Sequence, residues 1–224
     1  MNFEQFRARA GKPYYTNYMA MFFSNLSLRL SYLLIRTSVT PNQVTLLSTA
    51  IGLIGAATIL STNYWFRILG IVTWFVGYVL DFCDGEIARY KSMQSEFGHW
   101  FDEVTDRVKD VGLYTAITLL TARESSSMIA ILLGLLALGG TIVYSYAITY
   151  RFHTARYDRK DAKGPSPDKF GHVNYLVMAV LIGLDLPVLF LAFVTAVTYS
   201  SLTIKICTTR LASRAPEAHP ATSG

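Results

Sequence analysis

Four aspartates fall within 26 residues, in two pairs. Asp81 and Asp84 are three apart and Asp102 and Asp106 are four apart, in the run DFCDGEIARYKSMQSEFGHWFDEVTD. On a helix, offsets of three, four and seven share a face, so Asp81, Asp84, Gly85 and Ala88 line up. Gly98, Asp102 and Asp106 line up the same way on a second helix. A tight turn between the two helices brings the faces together as one concave site with up to four carboxylates. Carboxylates that close stay ionised together only with cations among them. Hard divalent ions with oxygen ligands suit such a site. Four carboxylates suggest two ions about 3.5–4 Å apart, the arrangement that clamps phosphoryl groups. No histidine or cysteine of ligand spacing joins them, and His99 is out of phase, so Mg2+ or Mn2+ is expected rather than zinc.

The small residues narrow the ligand further. Gly85 and Ala88 leave a groove on the acidic face, and Gly98 does the same on the facing helix. Arg89 offers a planar fork suited to phosphate. Metal ligands, small residues and an arginine together point to a pyrophosphate-containing substrate. The plainer reading, in which the acids only pair with Arg89, Lys91, Arg107 and Lys109, explains one aspartate better than all four. Acids within membrane-spanning sequence are expensive and mark function.

The elements that position this stretch are apolar. The chain has 224 residues, 52% hydrophobic and 16% charged, with mean hydropathy +0.33. A soluble domain carries about 25% charged residues. The expected fold is all-α, a polytopic membrane bundle of six transmembrane helices preceded by an interfacial amphipathic helix. Residues 1–36 form the lead-in and the interfacial helix, whose apolar run is interrupted by Arg29. Thr40 before Pro41 is a helix-start signal. From Thr37 to Phe66 there are 30 uncharged residues, enough for one span of roughly 20 residues, about 42–61. The second span begins near Tyr64 and runs into the Asp81 stretch, and the third begins near Gly98. The fourth covers Met128 to Tyr150, where Gly134, Gly139 and Gly140 permit close packing. A charged loop, 151–170, leads to a short fifth span near 171–184 and a sixth near 187–206. Residues 37–207 are the membrane domain, and 208–224 read as a flexible cytoplasmic tail. Cys83 and Cys207 have neither disulfide nor metal spacing. No cleavable leader is expected.

The net charge is +5. The cations flank apolar segments instead of interleaving with aromatics, so they indicate topology and not nucleic acid. With six spans, 18 of the 20 Lys and Arg fall on one side, and only Arg67 and Arg123 on the other. The positive-inside rule makes that side cytoplasmic. The expected location is the plasma membrane, with the acidic site facing the cytoplasm.

The spacing D-x2-D-G-x2-A-R-x8-G-x3-D-x3-D resembles the signature of the CDP-alcohol phosphotransferase (CDP-alcohol phosphatidyltransferase) family. Asp81, Asp84, Gly85, Ala88, Arg89, Gly98, Asp102 and Asp106 all match it. The likeness extends to the T-P-N-x-V-T start at Thr40–Thr45 and covers roughly residues 19–207. It implies transfer of a substituted phosphate from a CDP-linked donor, often CDP-diacylglycerol, to an alcohol acceptor with release of CMP. It implies that Asp81, Asp84, Asp102 and Asp106 are metal ligands and that Asp106 is also the general base. Gly85, Ala88 and Arg89 would hold the CDP part, with Ser95 and Asn42 as further CDP contacts. A homodimer is a family expectation. No nucleotidyltransferase domain is visible, so the donor is expected to be made elsewhere.

The acceptor is open in the sequence: an inositol phosphate, glycerol phosphate, serine or another polyol. Arg151, Arg156 and Arg159 follow the cytoplasmic end of span four on one broad face. Arg151 and Arg156 could grip an anionic acceptor, or they could anchor the helix to anionic membrane lipids. Two alternative functions use the same acids. A UbiA-type prenyltransferase needs no G-x2-A-R insert. A divalent-cation transporter needs acids along a pore, whereas these lie at helix ends beside an arginine.

Overall fold

The computed structural model describes residues 2–11, 18–125, 127–158 and 171–212. These form eight α-helices and no strand: α1 (Phe3–Ala10), α2 (Tyr18–Leu34), α3 (Pro41–Ile59), α4 (Tyr64–Lys91), α5 (Glu96–Ser125), α6 (Met128–Asp158), α7 (Gly171–Gly183) and α8 (Pro187–Ala212). Four of them are long and apolar enough to cross a membrane: Pro41–Ile59, Tyr64–Lys91, Met128–Thr149 and Pro187–Cys207. Helix α5 misses that standard because its first half carries the charged signature. Helix α7 misses it by length, at 13 residues, against the roughly 20 that a span needs. Large apolar side chains such as Leu46, Ile54, Val72, Leu132, Leu135 and Ile204 are exposed on α3, α4, α6 and α8. So much exposed apolar surface suits lipid, not water.

Local signals set the ends of the helices. Thr40 caps α3 in a reciprocal capping box with Gln43, with Pro41 at the first helical position, as expected from the sequence. Ser92, at φ 55°, ends α4 in a left-handed turn. The Met93 N–H then reaches back to the Ala88 carbonyl at 2.9 Å, the closure that stops a helix sharply. Ser95 starts α5 by accepting the Gly98 N–H at 3.0 Å. The helix therefore begins at Glu96, two residues before the expected start at Gly98. Helix α6 continues to Asp158, so the expected 151–170 loop is helical over its first eight residues. The remainder of that loop, 159–170, and the tail beyond residue 212 lie outside the described residues. The N-terminal lead-in contains a helix, α1, which the sequence pattern did not suggest. Its capping box joins Asn2 and Gln5.

Helices α3 and α4 run antiparallel in one constant register, which sets the site. A Cβ on Gly77 would meet the Gly52 nitrogen at 2.8 Å, one on Gly55 the Trp74 nitrogen at 2.5 Å, and one on Gly70 the Ile59 nitrogen at 2.7 Å. Backbone touches backbone at these three levels, which only glycine permits. Of the three glycines expected to pack in α6, Gly134 lies against Thr118 and Gly140 against Tyr199, while Gly139 has nothing within 4 Å. The main core, including Ile59, Trp74, Leu113, Ile117, Ile182 and Phe190, joins α3, α4, α5, α7 and α8. At the end of the bundle away from the acids, Arg67 pairs with Glu124 at 2.8 Å and Asp185 at 2.5 Å. That cluster ties α4 to α5 and to the α7–α8 turn.

Candidate active site

The α3–α4 register continues from the glycines into the acids. Four and seven residues beyond Gly77 on α4 come Asp81 and Asp84. Four and seven residues before Gly52 on α3 come Ser48 and Thr45. Ser48 Oγ donates to Asp81 Oδ1 at 3.1 Å, and Thr45 Oγ1 donates to Asp84 Oδ2 at 2.6 Å. The Gly85 N–H also donates to Asp84 Oδ1. These hydroxyls hold the carboxylates that α4 presents.

Helix α5 supplies the other side. Ligand oxygens from Asp81, Asp102 and Asp106 all lie within 4.8 Å of one another. Asp84 is not in that group of three. It is 7% exposed and turned toward α3. Lys109, one turn beyond Asp106, reaches back into the cluster. Its Nζ lies 2.5 Å from Asp81 Oδ1 and 2.8 Å from Asp106 Oδ1. The acids already attract a cation, and their all-oxygen donor set suits a hard divalent ion.

One cavity of about 1250 Å³ gathers the sequence-predicted residues. Asp81, Asp84, Asp102, Asp106, Gly85, Ala88, Arg89, Asn42, Ser95 and Gly98 all line it. A Cβ on Gly98 would lie 3.1 Å from Ser95 Oγ and 3.4 Å from Asn42 Oδ1, so these three meet at one edge. Arg89 is placed by α1, since its Nε donates to the Ala10 carbonyl at 2.6 Å. A Cβ on Gly85 would come 3.2 Å from Arg89 Nη1. Of the other expected cation partners, Lys91 bonds the Thr37 and Val39 carbonyls, and Arg107 pairs with Asp110 at 2.8 Å. His99 pairs with Glu103 at 3.6 Å on the exposed side of α5. Arg151 and Arg156 lie in the last turns of α6, but their side chains are outside what the structure describes, as is Arg159 altogether.

Several site residues escaped the sequence reading. Thr45 and Ser48 repeat on α3 the spacing of three that Asp84 and Asp81 have on α4, a signal visible once the helices are paired. Lys109 enters the sequence reading only as one of four cations that could pair with the acids, which does not foresee its pairing with both Asp81 and Asp106. Buried Asp110 accepts from Tyr175 of α7 at 3.0 Å. Glu86, 2% exposed, accepts from Ser27 and Ser31 of α2 at 2.6 and 2.7 Å. The serines at 24, 27 and 31 recur at helical spacing, and only a buried acid opposite gives that stripe a meaning.

The CDP-alcohol phosphatidyltransferase family model matches residues 38–207. The chain belongs to this family. Among curated relatives, it is 32% identical over 161 residues to the bifunctional IPC transferase and DIPP synthase of Thermococcus kodakarensis, covering 70% of this chain and 35% of that one. It is 30% identical over 139 residues to the phosphatidylinositol phosphate synthase of Streptomyces avermitilis, covering 61% of this chain and 56% of that one. The alignments thus span about a third to just over half of those relatives. The fold matches the crystal structure of Mycobacterium tuberculosis phosphatidylinositol phosphate synthase in apo form, with TM-score 0.65 and 19% identity over 80% of this chain and 94% of that one. The same synthase with CDP-DAG bound matches with TM-score 0.63 and 19% identity, over 89% of this chain and all of the other. The matched residues include Asp81, Asp84, Asp102 and Asp106, which this fold places along one cavity.

Proposed function

We propose that this chain is an integral membrane transferase that moves a substituted phosphate from CDP-diacylglycerol to an alcohol acceptor and releases CMP. The observation that carries the reading is the convergence of Asp81, Asp102 and Asp106 within 4.8 Å on a cavity that also holds Arg89, Gly85 and Gly98. The names of the relatives favour a phosphorylated inositol as acceptor over glycerol phosphate, serine or another polyol. Arg151 and Arg156 are assigned to its anionic group.

Asp81, Asp102 and Asp106 would hold Mg2+ or Mn2+, and Asp84 would join them by turning from Thr45. A divalent ion there neutralises pyrophosphate charge and stabilises the leaving CMP. Arg89 and the groove at Gly85 and Ala88 bind the CDP phosphates, while Asn42 and Ser95 bound the cytidine side. Asp106 faces the cavity and takes the proton of the acceptor hydroxyl. The hydroxyl oxygen bonds to the phosphorus distal to cytidine, and the bond from that phosphorus to the bridging oxygen breaks. Lys109 holds Asp106 through a 2.8 Å ion pair.

The membrane reading assigns six spans to α3–α8 within a catalytic unit of residues 37–207. Helix α2 lies at the interface, with Phe22, Leu26 and Leu33 outward and its serines against α4. The charge distribution supports a cytoplasmic site in the plasma membrane, and a homodimer follows the family expectation. The test is CMP release by purified protein in lipid, screening CDP-diacylglycerol and other CDP-alcohols against inositol phosphate, glycerol 3-phosphate, serine and free inositol. Release with CDP-diacylglycerol and inositol phosphate is expected. Absence of both CMP release and CDP binding in every combination overturns the reading.

A further inference from the structure

Arg89 is held by a helix that lies ahead of the stretch the family model matches. Its Nε donates to the Ala10 carbonyl at 2.6 Å. Ala10 is the last residue of α1, and the family match begins at residue 38. The last carbonyls of a helix lack partners within it and form its negative end, so a guanidinium fits there. Helix α1 is seated for this contact. Phe6 and Ala10 are fully buried. The Phe6 ring stands 5.6 Å from Tyr32 of α2 and 5.3 Å from Tyr90, the neighbour of Arg89 on α4. Phe3 meets Tyr32 edge-on at 5.5 Å, and the Arg9 guanidinium lies over the Tyr90 ring at 5.7 Å. This aromatic cluster is separate from the main core. Arg89 lines the cavity and no residue of α1 does, so the helix grips the arginine from behind.

We infer that α1 is a positioning clamp for donor binding, in which the Ala10 carbonyl aims the Arg89 guanidinium at the CDP phosphates and Phe6 keeps that carbonyl in place. This inference rests on the transferase reading above. The guanidinium is a rigid plane, so fixing Nε fixes where its Nη groups point. Nη1 lies toward the groove, 3.2 Å from where a Cβ on Gly85 would sit. A free arginine side chain loses much rotamer freedom when it binds a ligand. One already held in place loses less, and affinity rises accordingly. The coupling is reciprocal: docked α1 strengthens CDP binding, and bound CDP holds α1 down by the same factor.

The test measures CDP binding to the full chain in lipid nanodiscs with Mg2+ by calorimetry. Phe6→Asp puts a charge into the aromatic seat and is expected to raise the Kd for CDP about tenfold, the weight of one hydrogen bond to a charged group. Phe6→Leu keeps the seat apolar and is expected to bind CDP as wild type does. In an Arg89→Ala background, Phe6→Asp is expected to add no further loss, because α1 then has nothing to aim. In wild type, saturating CDP is expected to slow amide hydrogen exchange within α1 about tenfold, by reciprocity. Undiminished CDP affinity in Phe6→Asp overturns the inference even if its inactivation temperature falls, and so does an equal loss with and without Arg89. Either result leaves the transferase reading standing. Exchange within α1 that ignores CDP in wild type also overturns the inference, which decides the matter even where Phe6→Asp fails to fold. No CDP binding by wild type, together with no CMP release from any donor, overturns both.

Discussion

Gly77→Ala tests whether the contact between α3 and α4 sets the geometry of the acids. The added Cβ would lie 2.8 Å from the Gly52 nitrogen and 2.9 Å from the Ser48 carbonyl oxygen. Both are backbone atoms of α3, so no rotamer change relieves the clash. Ordinary contact begins near 3.4 Å, so the helices must part by about 0.6 Å, an overpacking that costs roughly 1–3 kcal/mol. One turn further along α4, the same parting stretches the 3.1 Å bond from Ser48 to Asp81 past hydrogen-bond range. A 1 Å misplacement can cost about 100-fold in rate, so a loss of roughly 10-fold or more is expected. The assay is CMP release at saturating donor and metal, paired with thermal inactivation at a fixed scan rate. Gly139→Ala is the control, because a Cβ there meets nothing within 4 Å, and it should lose neither activity nor stability. If Gly77→Ala keeps turnover within about twofold of wild type and the same inactivation temperature, the glycine contacts do not position Asp81.

Three further outcomes are expected. Asp106→Asn should abolish CMP release while largely sparing CDP binding by calorimetry; turnover by this variant removes Asp106 as the base. Glu86→Ala strips the buried acceptor from Ser27 and Ser31 and should cost roughly 2 kcal/mol or more, read as a lower inactivation temperature and faster proteolysis within α2. Chelation with EDTA should stop CMP release, and Mg2+ or Mn2+ should restore it where zinc does not, because the ligand set is all oxygen.

The sequence makes half of the site legible. Offsets of three and four on α4 and α5 are fixed by helix geometry, so the sharing of faces follows from spacing alone. Three of the four carboxylates, Asp81, Asp102 and Asp106, do meet, and Gly85, Ala88, Arg89 and Gly98 line the same cavity. The Thr40–Pro41 start was equally readable, because capping is local chemistry. What spacing cannot give is the partner helix. Asp84 belongs to the acidic face in projection, yet the Thr45 hydroxyl turns it toward α3, outside the group formed by Asp81, Asp102 and Asp106. Helix α2 was readable as an interrupted apolar helix, but its serines gain a role only opposite Glu86.

The α3–α4 register explains why partner residues were hard to see and how they could be found. Two antiparallel helices in constant register pair residues whose positions mirror each other across the turn at 60–63. Gly52 pairs with Gly77, Ser48 with Asp81 and Thr45 with Asp84. Once one glycine contact is placed, the mirror assigns every other level, including the two hydroxyls that hold the acids. Lys109 is not on that mirror. It comes from α5, a third helix, and settles where Gly52 leaves room. Charge patterning on α5 alone could not distinguish it from Arg107, which turns instead to Asp110. What separates the two cations is their partners: Arg107 pairs with Asp110, and Lys109 with Asp81 and Asp106. A Cβ on Gly52 would lie 3.4 Å from Lys109 Cγ and Cδ and 3.5 Å from Trp74 Cζ3, in ordinary contact with both.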